Sequence, residues 1–296
     1  MMANDRRVAL VTGTSSGIGA ACVARLVACG WTVYAGVRRD EDGERLVASH
    51  GGDVHPVHID VTEDASIEAA VGRIDQEIGR LDGVVNNAGV SVGGPFELLE
   101  ASEWRAQFDV NVFGVIAVTK ATFPLVEAAG GRFVHIGSIA GRIGSPGLAP
   151  YSASKHAVEG LNWALRAELA RIGTMESSVV EPGEVKTDIW IKGRRQLRVA
   201  DERLAESDMA TRYEWLMDLF RGFLAEADAR AIHADRVAEA VEHALTARRP
   251  KARYVVGTDA KVQAAIDRLP DRLRELLLSR AFDRYQRAGR SLRAGE

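Results

Sequence analysis

Short, uninterrupted apolar runs alternate along this chain with longer stretches in which apolar residues recur every three or four positions. The first kind reads as strands buried on both faces, the second as amphipathic helices. The runs fall at residues 7–12, 32–37, 54–59, 81–86, 132–136, 175–181 and 252–256, the last of them an edge strand. Helical patterns are predicted over 20–29, 62–78, 102–126, from Pro150 onward, and over 235–247. Thr62 is expected to cap the second of these. In 102–126 the stripe is Trp104, Phe108, Val112, Val115 and Ile116, interrupted by Asn111, a core amide or a site residue. Residues 188–230 form an insertion with two helical patterns, the second carrying Trp215, Leu216, Leu219, Phe220 and Phe223. Beyond Gly257 lies an extension whose Leu269, Leu273, Leu276, Leu277 and Phe282 make one face apolar. Its arginines are interspersed with Asp271, Glu275 and Asp283, so packing on its own domain or on a partner subunit is expected rather than on a membrane.

Composition narrows this picture only a little. The 296 residues are 46% hydrophobic and 27% charged, as in a globular α/β domain of ordinary size. A formal net charge of −3 gives no signal for nucleic acid or a membrane surface. There is no run of 18 apolar residues, and the first seven are too polar for a signal peptide, so a cytoplasmic protein is expected. Cys22 and Cys29 stand seven apart on one predicted helix, about 10 Å along its axis, too far to bridge. Both are expected to be buried, reduced thiols. No Cys, His and carboxylate cluster has ligand spacing, so no metal is expected.

Three stretches carry chemistry. The first strand runs into Thr12-Gly-Thr-Ser-Ser-Gly-Ile-Gly19 and then a helix. Strand, glycine turn and helix N-terminus together make a phosphate cradle, with Gly13, Ser15, Ser16, Gly17, Ile18 and Gly19 as candidate nucleotide contacts. The second strand ends in Arg38 and Arg39 with no acid before Asp40, which favours a 2′-phosphate and hence NADP(H) over NAD(H). Arg38 is the candidate contact, and two solvated loop arginines are the plain alternative. The third strand ends in Asp60 and Val61, where an adenine edge can be met. Finally, Tyr151 and Lys155 share one helical face after Pro150. A lysine near a phenol favours the phenolate, which is expected to lower the tyrosine pKa from about 10 toward the working range. Ser138, after the fifth strand, could bond the same substrate oxygen.

Thr12-Gly-x-x-x-Gly-Ile-Gly19, Asn86-Asn-Ala-Gly89, Ser138, Tyr151-x-x-x-Lys155 and Pro182-Gly183 with Thr187 resemble, in order and spacing, the short-chain dehydrogenase/reductase family. The likeness covers roughly residues 5 to 190. The stretches 33–39 and 253–257 look like its 17β-hydroxysteroid and retinol dehydrogenase-like branch. The resemblance implies a single Rossmann-like, doubly wound domain over 1–257, with a parallel sheet ordered 3-2-1-4-5-6-7 and helices on both faces. It implies a catalytic tetrad of Asn111, Ser138, Tyr151 and Lys155, with Asn111 placing a water for proton relay. Asn87, Ala88, Gly89, Pro182, Gly183, Val185 and Thr187 join Tyr151 and Lys155 as cofactor contacts. Residues 188–230 leave the sheet just after Pro182-Gly183, where ligands sit, and are rich in large apolar side chains, so they are expected to be a mobile substrate lid, with Ser138, Tyr151 and Trp190 as substrate contacts; 258–296 are expected to be a helical extension. The family commonly forms homodimers or homotetramers through the helices that hold Asn111 and Tyr151.

The reaction expected is hydride transfer between NADP(H) and a hydrophobic secondary alcohol or ketone, steroid-like or retinoid-like. One alternative is a 3-oxoacyl thioester reductase, for which Lys192, Arg194, Arg195 and Arg198 would meet an anionic carrier. Another class is a non-catalytic NADP(H)-binding redox sensor, which has no need of a proton relay.

Overall fold

Strand β1 (Val8–Val11) has every residue buried and shows why the apolar runs are uninterrupted: Val8 and Leu10 pack on one side, Ala9 and Val11 on the other. The computed structural model describes residues 6–187 and 198–295. In it β1 lies between β2 (Thr32–Val37) and β4 (Gly83–Asn86), and β3 (Val54–His58) pairs with β2. Beyond β4 follow β5 (Arg132–Ile136), β6 (Glu176–Pro182) and β9 (Arg253–Val256), giving the order β3-β2-β1-β4-β5-β6-β9 with every pairing parallel. This is the sheet the sequence implies, β9 being its seventh strand. A small parallel ladder of β7 (Val185–Lys186) and β8 (Ile232–His233) stands apart from it and has no counterpart in the sequence reading.

Helices cover both faces. On one side α1 (Gly17–Ala28), α2 (Asp40–His50) and α8 (Ala234–Thr246) bury Cys22, Val23, Leu26, Leu46, Val237 and Val241 against Ala9, Val11, Val33 and Val134. On the other, α3 (Asp64–Glu77), α5 (Gly114–Ala129) and α6 (Ala149–Ile172) bury Ile67, Ile74, Val118, Leu125 and Leu169 against Leu10, Val84 and Phe133. Each such side chain contributes about 1.5–3 kcal/mol of transfer free energy. The sheet grows outward in both directions from β1 and β4. Their carboxyl ends therefore open a crevice at the switch point, where α/β sheets bind ligands.

Several local expectations are corrected. Helix α1 starts at Gly17, three residues earlier than its apolar pattern. Cys22 is buried, with its thiol pushed up to about 12 by desolvation, but Cys29 is the exposed C-cap of α1 and not a core thiol. Thr62 does not cap α3. Its hydroxyl and N–H bond Asp60 Oδ1 at 2.7 and 3.0 Å, and Glu63 takes the cap position. The long helix divides into α4 (Ala101–Phe108), a π turn over Asp109–Phe113, and α5. Although the sequence shows no spanning run, residues 101–129 are long and apolar enough to cross a bilayer. Val115, Val118, Leu125 and Val126 bury that apolar face in the domain core.

After a helical stretch over 198–205 come α7 (Ala210–Arg230), then α9 (Thr258–Ile266) and α10 (Asp271–Gly295). Helix α10 runs antiparallel along α7, with Arg284 near Glu226 and Arg293 on Asp218. The crossing is close because Gly222 and Gly289 face one another's backbones.

Candidate active site

The glycine turn leaves β1 at Thr12, whose hydroxyl accepts from the N–H groups of Asn87 and Ala88, both at 3.0 Å. Asn87 answers with its side-chain amide, donating to the carbonyls of Thr12 and Gly13 at 2.9 Å. The ends of β1 and β4 are thus laced together across the crevice. Gly13 and Gly17 lie in the left-handed region, at φ +66° and +60°. A Cβ on Gly13 would stand 2.8 Å from Ala88 Cα, and one on Gly19 would overlap the Gly13 carbonyl oxygen. The result is a cradle lined by backbone at a helix N-terminus, the form that phosphate groups need. Ser16 is the N-cap of α1, Ser15 is exposed, and Ile18 turns its side chain into the core, leaving its backbone for a ligand.

Next to this cradle the π turn brings Asn111 inward. Its Oδ1 accepts from Val90 N–H at 2.9 Å, and its Nδ2 donates to Val90 O at 3.0 Å and Ser154 Oγ at 3.1 Å. Gln107, one helical turn earlier and fully buried, donates to Val90 O at 2.8 Å and accepts from Val92 N–H at 2.6 Å. The sequence reading missed Gln107. Two amides four apart on an apolar helix face were the signal that could have found it. Together they pin the strand exit at Gly89–Val92. A Cβ on Gly89 would lie 3.4 Å from Asn111 Oδ1 and 3.9 Å from Lys155 Nζ.

Helix α6 carries Tyr151 and Lys155 in its first two turns, with Pro150 at its start. Ser138, at the end of β5, faces the Tyr151 phenol, and its hydroxyl oxygen accepts from Ala140 N–H at 3.1 Å. Lys155 Nζ donates to Ile136 O at 2.8 Å and sits 5.7 Å from the centre of the tyrosine ring. The four residues of the expected tetrad therefore converge on one place. Their electrostatics differ from the expectation. Burial raises the Tyr151 pKa, opposed by the Ser138 contact, and Lys155 produces no net lowering. Burial also brings Lys155 down to about 8. Desolvation disfavours the charged form of each group.

A buried ion network backs the site, one turn beyond Lys155, and it too escaped the sequence reading. Arg142, just past Ser138, meets Glu181 at 2.9 and 2.7 Å. Arg253 meets Glu159 at 2.7 Å and Glu181 at 3.4 Å. Burial, with the neighbouring Glu181, pushes Glu159 up to about 8 against the opposing pull of Arg253. The network joins the Ser138 turn, α6 and the strand leading to Pro182.

Pro182 ends β6, Gly183 follows it, and Val185 is buried. Thr187 lies over the glycine turn, where a Cβ on Gly17 would be 3.1 Å from Thr187 Cγ2. At the other end, Arg38 is 73% exposed and 3.7 Å from Asp60, whereas Arg39 is tied to Asp42. The Val61 side chain packs against Gly114 and is buried, so only its backbone can face a ligand. Trp190, Lys192, Arg194 and Arg195 lie outside the described residues. Among the described residues no cluster of three His, Cys, Asp or Glu groups could hold a metal ion.

Residues 7–198 match the family model for short chain dehydrogenases. The chain is 35% identical over 280 residues to the NADPH-dependent 3-dehydrocapnine reductase of Ornithobacterium rhinotracheale, covering 90% of this chain and 94% of that one. It is 34% identical over 268 residues to retinol dehydrogenase 7 of Rattus norvegicus, covering 85% and 80%. Among solved structures, a short-chain dehydrogenase from Streptomyces avermitilis superposes with a TM-score of 0.72 at 30% identity, covering 89% and 92%.

Proposed function

The chain belongs to the short chain dehydrogenase family and is an oxidoreductase of CH–OH groups; from that premise we propose that it interconverts a hydrophobic secondary alcohol and its ketone with NADP(H). The observation that carries this reading is the convergence of Asn111, Ser138, Tyr151 and Lys155 beside the glycine cradle. The cradle fits a dinucleotide: its glycines hold the space that side chains would fill. Nicotinamide, when bound, supplies the hydride.

The residues supply the rest. Tyr151, held protonated by burial, donates its proton to the carbonyl oxygen on reduction and recovers it on oxidation. Ser138 bonds and orients that oxygen. Lys155 would hold the ribose hydroxyls of the bound cofactor. Asn111, with Gln107, fixes the Val90 backbone against which this face of the site is built. Gly13 to Gly19, Asn87 to Gly89, and Pro182 to Thr187 would hold the cofactor, and the stretch over 198–205 with α7 belongs to the lid. Leu216 and Phe220 of α7 seat on Gly147, four residues before Tyr151. The kinship with an NADPH-dependent reductase supports ketone reduction as the physiological direction.

The preference for NADPH rests on Arg38. It is exposed and only loosely held by Asp60, so it is available to a 2′-phosphate. A charge-assisted bond of that kind contributes roughly 1.5–3 kcal/mol, or on the order of ten- to a hundredfold in affinity. Arg38→Ala is expected to remove most of the gap between NADPH and NADH in a fluorescence titration. Equal affinity for the two cofactors in the unmodified protein contradicts the assignment. Of the four cations expected to meet an anionic acyl carrier, Arg198 is described; it is exposed and stands 3.8 Å from Glu202. NADPH oxidation by a panel of hydrophobic ketones tests the reading, and tight NADPH binding without turnover would favour a sensor.

Subunit pairing through α5 and α6 is part of the same proposal. Phe113, the last residue of the π turn before α5, and Trp163 of α6 are exposed. Light scattering is expected to give a dimer or tetramer, and Phe113→Lys with Trp163→Lys to shift it toward monomer.

A further inference from the structure

Helix α9 follows the last strand of the sheet and touches two walls of the site. Its Ala260 and Ala264 are buried against Ile139, the residue after Ser138. From its first turn, Asp259 reaches the turn that follows β6. Its Oδ2 accepts from the Glu184 N–H at 2.7 Å. The same carboxylate occupies the space that a side chain on Gly183 would require, and a Cβ on Gly257 would stand 2.5 Å from its Oδ1. The neighbouring peptide groups bond backbone instead: Gly183 N–H donates to Val256 O at 3.0 Å, and Ile232 N–H to Glu184 O at 2.9 Å. A carboxylate in the first turn of a helix is favoured by the helix dipole, and its bond to a backbone N–H is charge-assisted. Val185 and Thr187 follow directly, and Thr187 ends over Gly17.

We propose that Asp259 is a positioning residue for the nicotinamide end of the cofactor site, fixing Glu184 and through it the path of Val185 to Thr187 over the glycine turn. The inference rests on the reading of Pro182 to Thr187 as the nicotinamide wall. Asp259 meets no reacting atom; it acts through the backbone it holds. The extension beyond Gly257 is then a working part of the site and not an appendage to it.

Calorimetric titration of the full chain with NADPH, and with 2′,5′-ADP as the fragment lacking nicotinamide, tests this directly. Asp259→Ala is expected to weaken NADPH about tenfold, from loss of a charge-assisted bond, while 2′,5′-ADP binds as before. Asp259→Asn keeps an amide oxygen where the carboxylate accepted, so it is expected to restore most of the NADPH affinity. Unchanged NADPH affinity in Asp259→Ala overturns the inference, and so does equal weakening of both ligands, which marks a general loosening of the fold. An unmodified protein that binds neither ligand overturns the functional reading itself, and the inference with it.

Discussion

Tyr151→Phe is expected to lower turnover by about 10²–10⁴-fold, the usual worth of a positioned general acid, and to leave NADPH binding intact. The ring is retained and only the hydroxyl goes, so packing around the site is preserved. The loss is confined to the step in which a proton moves, because Ser138 remains to orient the substrate oxygen. Steady-state rates on the best ketone, paired with a fluorescence titration of NADPH, check both halves. A variant that keeps a tenth or more of the wild-type rate, by the same scale, removes Tyr151 from the proton transfer.

Lys155→Ala is expected to damage turnover and cofactor affinity together. On the proposed reading the ammonium holds the ribose hydroxyls that position nicotinamide, so its loss removes hydrogen bonds from a charged group worth roughly 1.5–3 kcal/mol. It also strips the Ile136 carbonyl of its buried donor, which costs about 1–3 kcal/mol of stability. A pH dependence follows from burial. Lys155 releases its proton at about 8 in the folded chain but near its ordinary 10.5 when unfolded. The cost of burying the ammonium is therefore full below about pH 8 and is relieved as pH rises toward 10.5, so this group makes stability rise across that window. Binding runs the other way: NADPH, held by the charged form, is expected to weaken above about pH 8. In Lys155→Ala that alkaline weakening should be absent. A variant with the wild-type pH profile for NADPH binding argues against the lysine contact.

Much of the fold is legible in the sequence because a strand buried on both faces has no freedom to alternate. Val8–Val11 and Thr32–Val37 declare themselves by apolar continuity alone. The site is legible where its chemistry depends on local spacing, as with Tyr151 and Lys155 on one helical face, or the three glycines of the turn. What escapes is what depends on distant partners. Gln107 looks like any helical amide until Val90 and Val92 are brought to it. Glu159 and Glu181 are ordinary acids in the sequence and become a buried network only when the fold brings Arg142 and Arg253 to them. Thr62 is a good cap by type, but Asp60 offers its hydroxyl a closer partner. The lowering of the tyrosine pKa fails for a related reason: spacing predicts proximity to the lysine, while burial, which spacing does not report, decides the sign. The role of α9 is likewise invisible, since Asp259 meets Glu184 across 75 positions of chain.

The most direct measurement follows the hydride itself. With NADPH deuterated at the transferring position, mass spectrometry of the products from a panel of hydrophobic ketones reports whether label reaches the carbinol carbon. The expected result is a secondary alcohol carrying the label, formed in step with NADP⁺ by the unmodified protein and lost in Tyr151→Phe. Tight NADPH binding with no label in any product, or label transfer undiminished in Tyr151→Phe, would contradict an oxidoreductase built on this tyrosine.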